Sequence, residues 1–187
     1  MTKETNVGIV KFFAGLILSN LIRLLHFIPN NDPIMAIMLP YAKTKHKYIA
    51  VLFPLLTMVS FDIITGKVGV WTIVTAGTYA LLGFFFSNFY FKVNAKKIGL
   101  LKYLKAGILG VLIFDFITGP IMSSWMFGMT FTDAVLGQIP FTIMHLVTVS
   151  AYIVVLVPLL DKHLVENAKL TDTSVLNYLK QKLFART

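Results

Sequence analysis

The feature that most constrains this chain is a run of apolar sequence from Asp133 to Leu160 that carries no Asp, Glu, Lys or Arg after Asp133 itself. About 20 mostly apolar residues cross a bilayer as a helix. Lipid offers the backbone no water, so a lone segment of this kind satisfies its own N–H and C=O groups only by coiling. Five further segments share the pattern: Val7 to Ile28, Pro33 to Ala42, Tyr48 to Ile64, Val70 to Phe91 and Leu100 to Thr118. The second has about ten residues, too few to cross alone. It reads as a half-helix buried against its neighbours, which is tolerated where protein satisfies the backbone; an extension through Lys43 to His46 is an alternative. The expectation is an all-α integral membrane protein, a six-helix bundle with a short second helix. Residues 1–160 form its membrane domain and residues 161–187 an amphipathic cytoplasmic tail.

Composition agrees. Of 187 residues, 57% are hydrophobic and 13% charged, against about 45–50% and about 25% in soluble domains. There is no cysteine, which excludes disulfides, thiolate metal sites and a cysteine nucleophile. The first apolar run lacks a small-residue cleavage site after it and reads as a retained span rather than a signal peptide.

The charges set an orientation. Fifteen of the 17 Lys and Arg fall in the N-terminus, the second and fourth connections and the tail. Only Arg23 and Lys67 fall in the first, third and fifth connections. With six spans the fifteen share one side, and the positive-inside rule makes that side, with both termini, cytoplasmic. The net charge of +9 therefore needs no nucleic acid to explain it. Asp32, Asp62, Asp115 and Asp133 map to the opposite, cation-poor side. In the tail, Val175, Leu176, Leu179 and Leu183 follow Thr171 to Thr173 at helical spacing, as in an interfacial helix or a contact surface for a partner.

One motif occurs twice: FDIITGKVGVW from Phe61 and FDFITGPIMSSW from Phe114. In each copy an aspartate lies three residues before a threonine, on the same helix face. A glycine follows where a helix C′ position is expected, and Gly119-Pro120 reads as a firm stop. A carboxylate one turn inside a membrane helix faces the bundle interior or a cavity rather than lipid. Asp62 and Asp115 are therefore either caps for a neighbouring helix or ligand contacts. Asp62 would cap the start of helix four, and Asp115 would cap across the fifth connection.

Other polar residues gather on the same side. The first connection, RLLHFIPNNDPI, holds Arg23, His26, Asn30, Asn31 and Asp32; it is either an ordinary turn with a snorkelling arginine or a loop closing over a site. Helix four carries Trp71, Thr75, Thr78 and Tyr79 at helical spacing, and helix six carries Gln138, Thr142, His145 and Tyr152. Interhelical hydrogen bonds explain Thr142 and Thr148. Gln138 and His145 point to a cavity, because intramembrane histidine is rare. Trp71 and Trp125 suit an interfacial belt as well as they suit a ligand platform. No HExxH, GxSxG or GxxxxGK[ST] is present, and His145 has no metal-ligand companion at i+4. Catalysis and a resident metal are not expected.

The stretches PNNDPIMAIMLPYA and FDIITGKVGVWTIVTAGTYALLG, in a chain with six spans and polar loops on one side, resemble the substrate-binding S components of energy-coupling factor (ECF) transporters. The resemblance covers about residues 7 to 160. It implies a prokaryotic plasma-membrane protein that binds a vitamin or related micronutrient with high affinity from outside, with the first loop as a lid. It implies a transmembrane coupling subunit and two cytoplasmic ATPases as partners, so ATP is hydrolysed elsewhere and this chain is not itself an enzyme. Asn30, Asn31, Asp62, Trp71, Asp115, Trp125, Gln138 and His145 are the candidate ligand contacts. The family docks through AxxxA in helix one; here Gly15 and Ser19 have that spacing, with Ala14 beside them. A stand-alone transporter, proton-coupled through an aspartate, and a small integral-membrane enzyme using Asp62, Asp115 and His145 are the alternatives.

Overall fold

A computed structural model describes residues 3–25, 30–43, 47–91 and 98–161, with side chains in the first helix from residue 12 onward. Residues 162–187 of the tail, His26 and Thr44 to His46 lie outside these residues. Every regular element among the described residues is a helix. The helices are α1 (Lys3–Leu24), α2 (Ile34–Ala42), α3 (Tyr48–Ile64), α4 (Val70–Phe85), α5 (Leu100–Phe116), α6 (Met122–Phe127) and α7 (Phe131–Leu160). A π-helical turn, Phe86–Tyr90, extends α4, and a second, Ile117–Ile121, joins α5 to α6. Three continuous rods are long and apolar enough to cross a membrane: Val70–Tyr90, Leu100–Phe127 and Phe131–Leu160. Phe12–Leu24 and Tyr48–Ile64 are apolar but shorter.

Many apolar side chains on these rods, among them Leu81, Ile73, Leu136 and Val147, face outward. In water this would expose a large apolar surface; in lipid it is the expected surface of a bundle. The core is α2. Its sequence, IMAIMLPYA, is apolar on every side, and all of its residues except Tyr41 are buried, as a helix without a polar face requires. At 1.5 Å per residue it is about 14 Å long, well short of the about 30 Å hydrocarbon layer. It is surrounded by α3, α4, α5 and α7, so protein rather than lipid covers its ends.

Two contacts fix the ends of α2. At its start, Asp32 Oδ1 accepts from the Ile34 backbone N–H at 2.9 Å. At its end, Lys43 is ion-paired with Asp161, which also accepts from Tyr103 Oη at 2.6 Å. Lys47 reaches Asn88 Oδ1 at 3.0 Å, and the Lys102 ammonium lies 5.6 Å from the Tyr90 ring centre. These cations gather at one end of the bundle; the C-terminal ends of α1, α3 and α5 and the N-terminal ends of α2, α4 and α7 form the cation-poor end.

The repeated motif is read differently by the fold at its two sites. After the first copy α3 stops: Gly66 has φ +66°, a left-handed C′ conformation that glycine adopts without cost. After the second copy the helix continues, which corrects the expected stop at Gly119-Pro120. Pro120 lacks an N–H and its ring crowds an ordinary α-turn. The chain widens into the π-turn Ile117–Ile121 and goes on as α6 to Gly128, where φ is +64°. Gly119 is not a terminator but a close contact: a Cβ there would lie 2.4 Å from Gln138 Oε1 on α7.

The docking positions also divide. Ala14 is exposed, whereas Gly15 and Ser19 are buried. A Cβ on Gly15 would stand 3.3 Å from both Ile37 and Phe53. The small residues of α1 at this spacing bring α2 and α3 close to it, and Gly15 and Ser19 are not on the outer face as the docking reading required.

Candidate functional site

A cavity of about 670 Å³ lies at the cation-poor end, walled by α1, α3, α4, α5, α7 and the α1–α2 connection. Its polar wall consists of Arg23, Asn30, Asn31, Asp32, Thr75, Asp115, Thr118, Gln138 and His145, and Met58, Phe61, Phe114 and Phe141 supply the apolar part. Five of the eight candidate contacts, Asn30, Asn31, Asp115, Gln138 and His145, come together here.

The α1–α2 connection is tied down by the asparagines. Asn30 takes φ +56°, a conformation that Asn tolerates better than most residues. Its Nδ2 donates to the Phe141 carbonyl at 2.8 Å, and its own carbonyl accepts from Thr148 Oγ1 at 2.9 Å. Asn31 Nδ2 donates to the Ile22 carbonyl at 3.0 Å, and its Oδ1 accepts from Tyr152 Oη. The two side chains thus bridge the end of α1 and the middle of α7, and hold the turn over the cavity.

Asp115 faces α7. Its Oδ1 is 2.7 Å from His145 Nδ1, so with the carboxylate ionised Nδ1 is the donor, and Nε2 carries the lone pair when the imidazole is neutral. This is a pairing across the bundle, not the cap across the fifth connection that the motif suggested. Both residues are nearly inaccessible, at 4% and 3% exposure, and the Phe114 ring stands edge-on to the imidazole, 6.0 Å between centres. Among the described residues, neither Asp115 Oδ2 nor His145 Nε2 has a hydrogen-bond partner.

Asp32 is satisfied by neutral donors. Besides the Ile34 N–H, its Oδ2 accepts from Tyr79 Oη at 2.5 Å, and Tyr79 packs on Phe114 at 4.4 Å between ring centres. The Arg23 guanidinium lies 4.2 Å above the Phe61 ring and contacts Met58 Sδ. Arg23 has no carboxylate partner among the described residues.

Three candidates lie elsewhere. Asp62 accepts from Thr72 Oγ1 at 2.5 Å, and Thr72 Oγ1 accepts in turn from the Gly69 N–H at 3.1 Å. It therefore caps the start of α4, through a threonine hydroxyl rather than a backbone N–H directly. The Trp71 indole donates to the Lys67 carbonyl at 2.8 Å on the exterior, and Trp125 is 71% exposed. Neither ring reaches the cavity; both have the amphipathic, peripheral position of interfacial tryptophans.

The chain matches no family model, no curated protein and no solved structure. The site is therefore read from its own chemistry. Sequence reasoning underweighted Arg23, Asp32 and Thr118. The isolation of Arg23 on a side that carries only one other cation was the available signal. For Asp32 it was a carboxylate immediately before a helix with no polar face. Thr118 was visible as the i+3 partner of Asp115, but its Oγ1 is turned back to the Phe114 carbonyl at 2.8 Å. Thr65 bonds the Phe61 carbonyl in the same way at 2.9 Å, so the threonines of the repeat keep one role while the aspartates take two. Among the described residues no three metal-ligating side chains converge.

Proposed function

We propose that this chain is the membrane-embedded solute-binding subunit of an ECF-type uptake system for a small micronutrient. The observation that carries the reading is the cavity: about 670 Å³, a size that takes a small organic molecule, with apolar rings and convergent polar groups at the end of the bundle expected to face outward. Intramembrane ionisable residues that line a cavity mark a substrate site. In this reading six helical segments pass between the two sides, both termini are cytoplasmic, and a coupling subunit with two ATPases drives release inward. Solute enters from outside, under the α1–α2 connection.

Mass spectrometry of the gently purified chain tests the reading. It expects a retained small molecule in the wild type, lost from Asp115→Ala and kept by Asp62→Ala, with the coupling subunit and ATPases copurifying from native membranes. Retention of nothing by a folded wild-type chain would sink it.

The buried Asp115–His145 pair favours a second reading, a stand-alone proton-coupled transporter. Vesicles containing this chain alone separate the two: uptake driven by a pH gradient supports the second, and its absence supports the first.

A further inference from the structure

With His145 neutral, in the tautomer that donates to Asp115, the walls of the cavity do not balance in charge: Asp32 and Asp115 contribute two carboxylates and Arg23 one guanidinium. Both oxygens of Asp32 are already used by neutral donors, the Ile34 N–H and the Tyr79 hydroxyl. Asp115 differs: one oxygen holds His145, while the other is buried and has no donor among the described residues. A buried acceptor carrying charge is costly unless something donates to it. Next to it His145 Nε2, an acceptor in this tautomer, is a second buried polar atom with no partner among the described residues. Rings from Phe61, Phe114 and Phe141 line the same space.

We infer that the ligand is a small organic monocation, an amine or amidine on a flat apolar body, whose charged N–H group donates to Asp115 Oδ2. The inference rests on the solute-binding reading above and gives it a substrate class. Such a ligand supplies the missing positive charge and the missing donor together. Its apolar body lies along the phenylalanine rings, where a cation is also favoured over a ring face. An anionic ligand would add a third negative charge to two, and would leave Asp115 Oδ2 without a donor. The competing source of the charge is a proton on His145, in which case the ligand is neutral.

Benzamidinium, benzamide and benzoate share a shape and differ in charge, so they serve as probes. The full chain, washed free of retained ligand in detergent, is followed by thermal unfolding with each probe at equal concentration. Benzamidinium should raise the melting temperature by several degrees, the other two by far less. The benzamidinium shift should fall by at least half in Asp115→Asn and grow in Arg23→Gln, which removes a like charge from the wall. Should Asp115→Asn fail to fold, the Arg23→Gln arm and the wild-type ranking still decide. Selective stabilisation by benzamide places the charge on His145 and overturns the inference. Selective stabilisation by benzoate, or a retained native ligand that is an acid, overturns it as well; both leave the solute-binding reading intact. No shift with any probe and no retained ligand overturns both.

Discussion

At the scale of single residues, the aspartates of the two nearly identical motif copies carry different duties because their neighbours differ. Asp62 faces the start of α4, where Thr72 donates to it; Asp115 faces α7, where His145 stands. Asp62→Ala leaves a buried threonine hydroxyl without its acceptor. The expected cost is about 1–3 kcal/mol of stability, with ligand affinity unchanged within about twofold, because Asp62 does not line the cavity. Asp115→Ala should instead lower affinity at least tenfold. Titration calorimetry beside a denaturation curve for each variant separates the two effects, and equal losses of affinity would contradict the division of roles. Tyr79→Phe is the cleanest probe of the Asp32 corner. It keeps the ring against Phe114 and removes only the hydroxyl that donates to Asp32 Oδ2. A hydrogen bond to a charged group is worth about 1.5–3 kcal/mol, so the variant should lose about that much stability and unfold at a lower temperature. An unchanged melting temperature would mean that water replaces the hydroxyl.

At the scale of elements, the helices were legible and their junctions only partly so. Long apolar runs leave lipid-exposed backbone one solution, and the described helices follow them closely: α3 runs Tyr48–Ile64 as the pattern indicates. The shortness of α2, its burial and the C′ role of Gly66 also followed from residue type. The continuation through Gly119-Pro120 did not, because the rule that proline ends a helix assumes α spacing and a π-turn escapes it. The cavity was legible where rare intramembrane polar residues betrayed it, as with His145 and Gln138. It was not legible at Trp71 and Trp125, whose amphipathic rings suit a membrane interface and a pocket equally well. Helix contact distances were likewise hidden. Gly83 sits where a Cβ would be 2.0 Å from the Ala50 carbonyl oxygen, whereas a Cβ on Gly77 of the same helix meets nothing within 4 Å. Gly83→Ala must therefore push α4 away from α3, at about 3 kcal/mol, the upper end of ordinary overpacking costs. Gly77→Ala should be neutral or stabilising by about 0.5–1 kcal/mol through reduced backbone freedom. Paired unfolding curves test the contrast, and equal effects would deny the close α3–α4 approach.

At the scale of the whole molecule, the distribution of cations and the position of the cavity constrain each other. Lys43, Lys47 and Lys102 gather at one end, held by Asp161, Asn88 and the Tyr90 ring, while the cavity occupies the other. If the positive-inside rule governs insertion, the cavity opens away from the cytoplasm, as the proposed solute-uptake reading requires. The absence of cysteine makes this testable without background labelling. A cysteine replacing Lys67, in the exposed turn between α3 and α4, should react with a membrane-impermeant maleimide on intact cells. One replacing Lys47, at the opposite end before α3, should react only after permeabilisation. Each substitution removes one positive charge, from opposite ends, and neither reverses an excess of fifteen cations to two. Labelling of position 47 on intact cells would invert the molecule. The same cavity would then face the cytoplasm, and the solute-uptake reading would have to give way to one in which ligand is collected from inside.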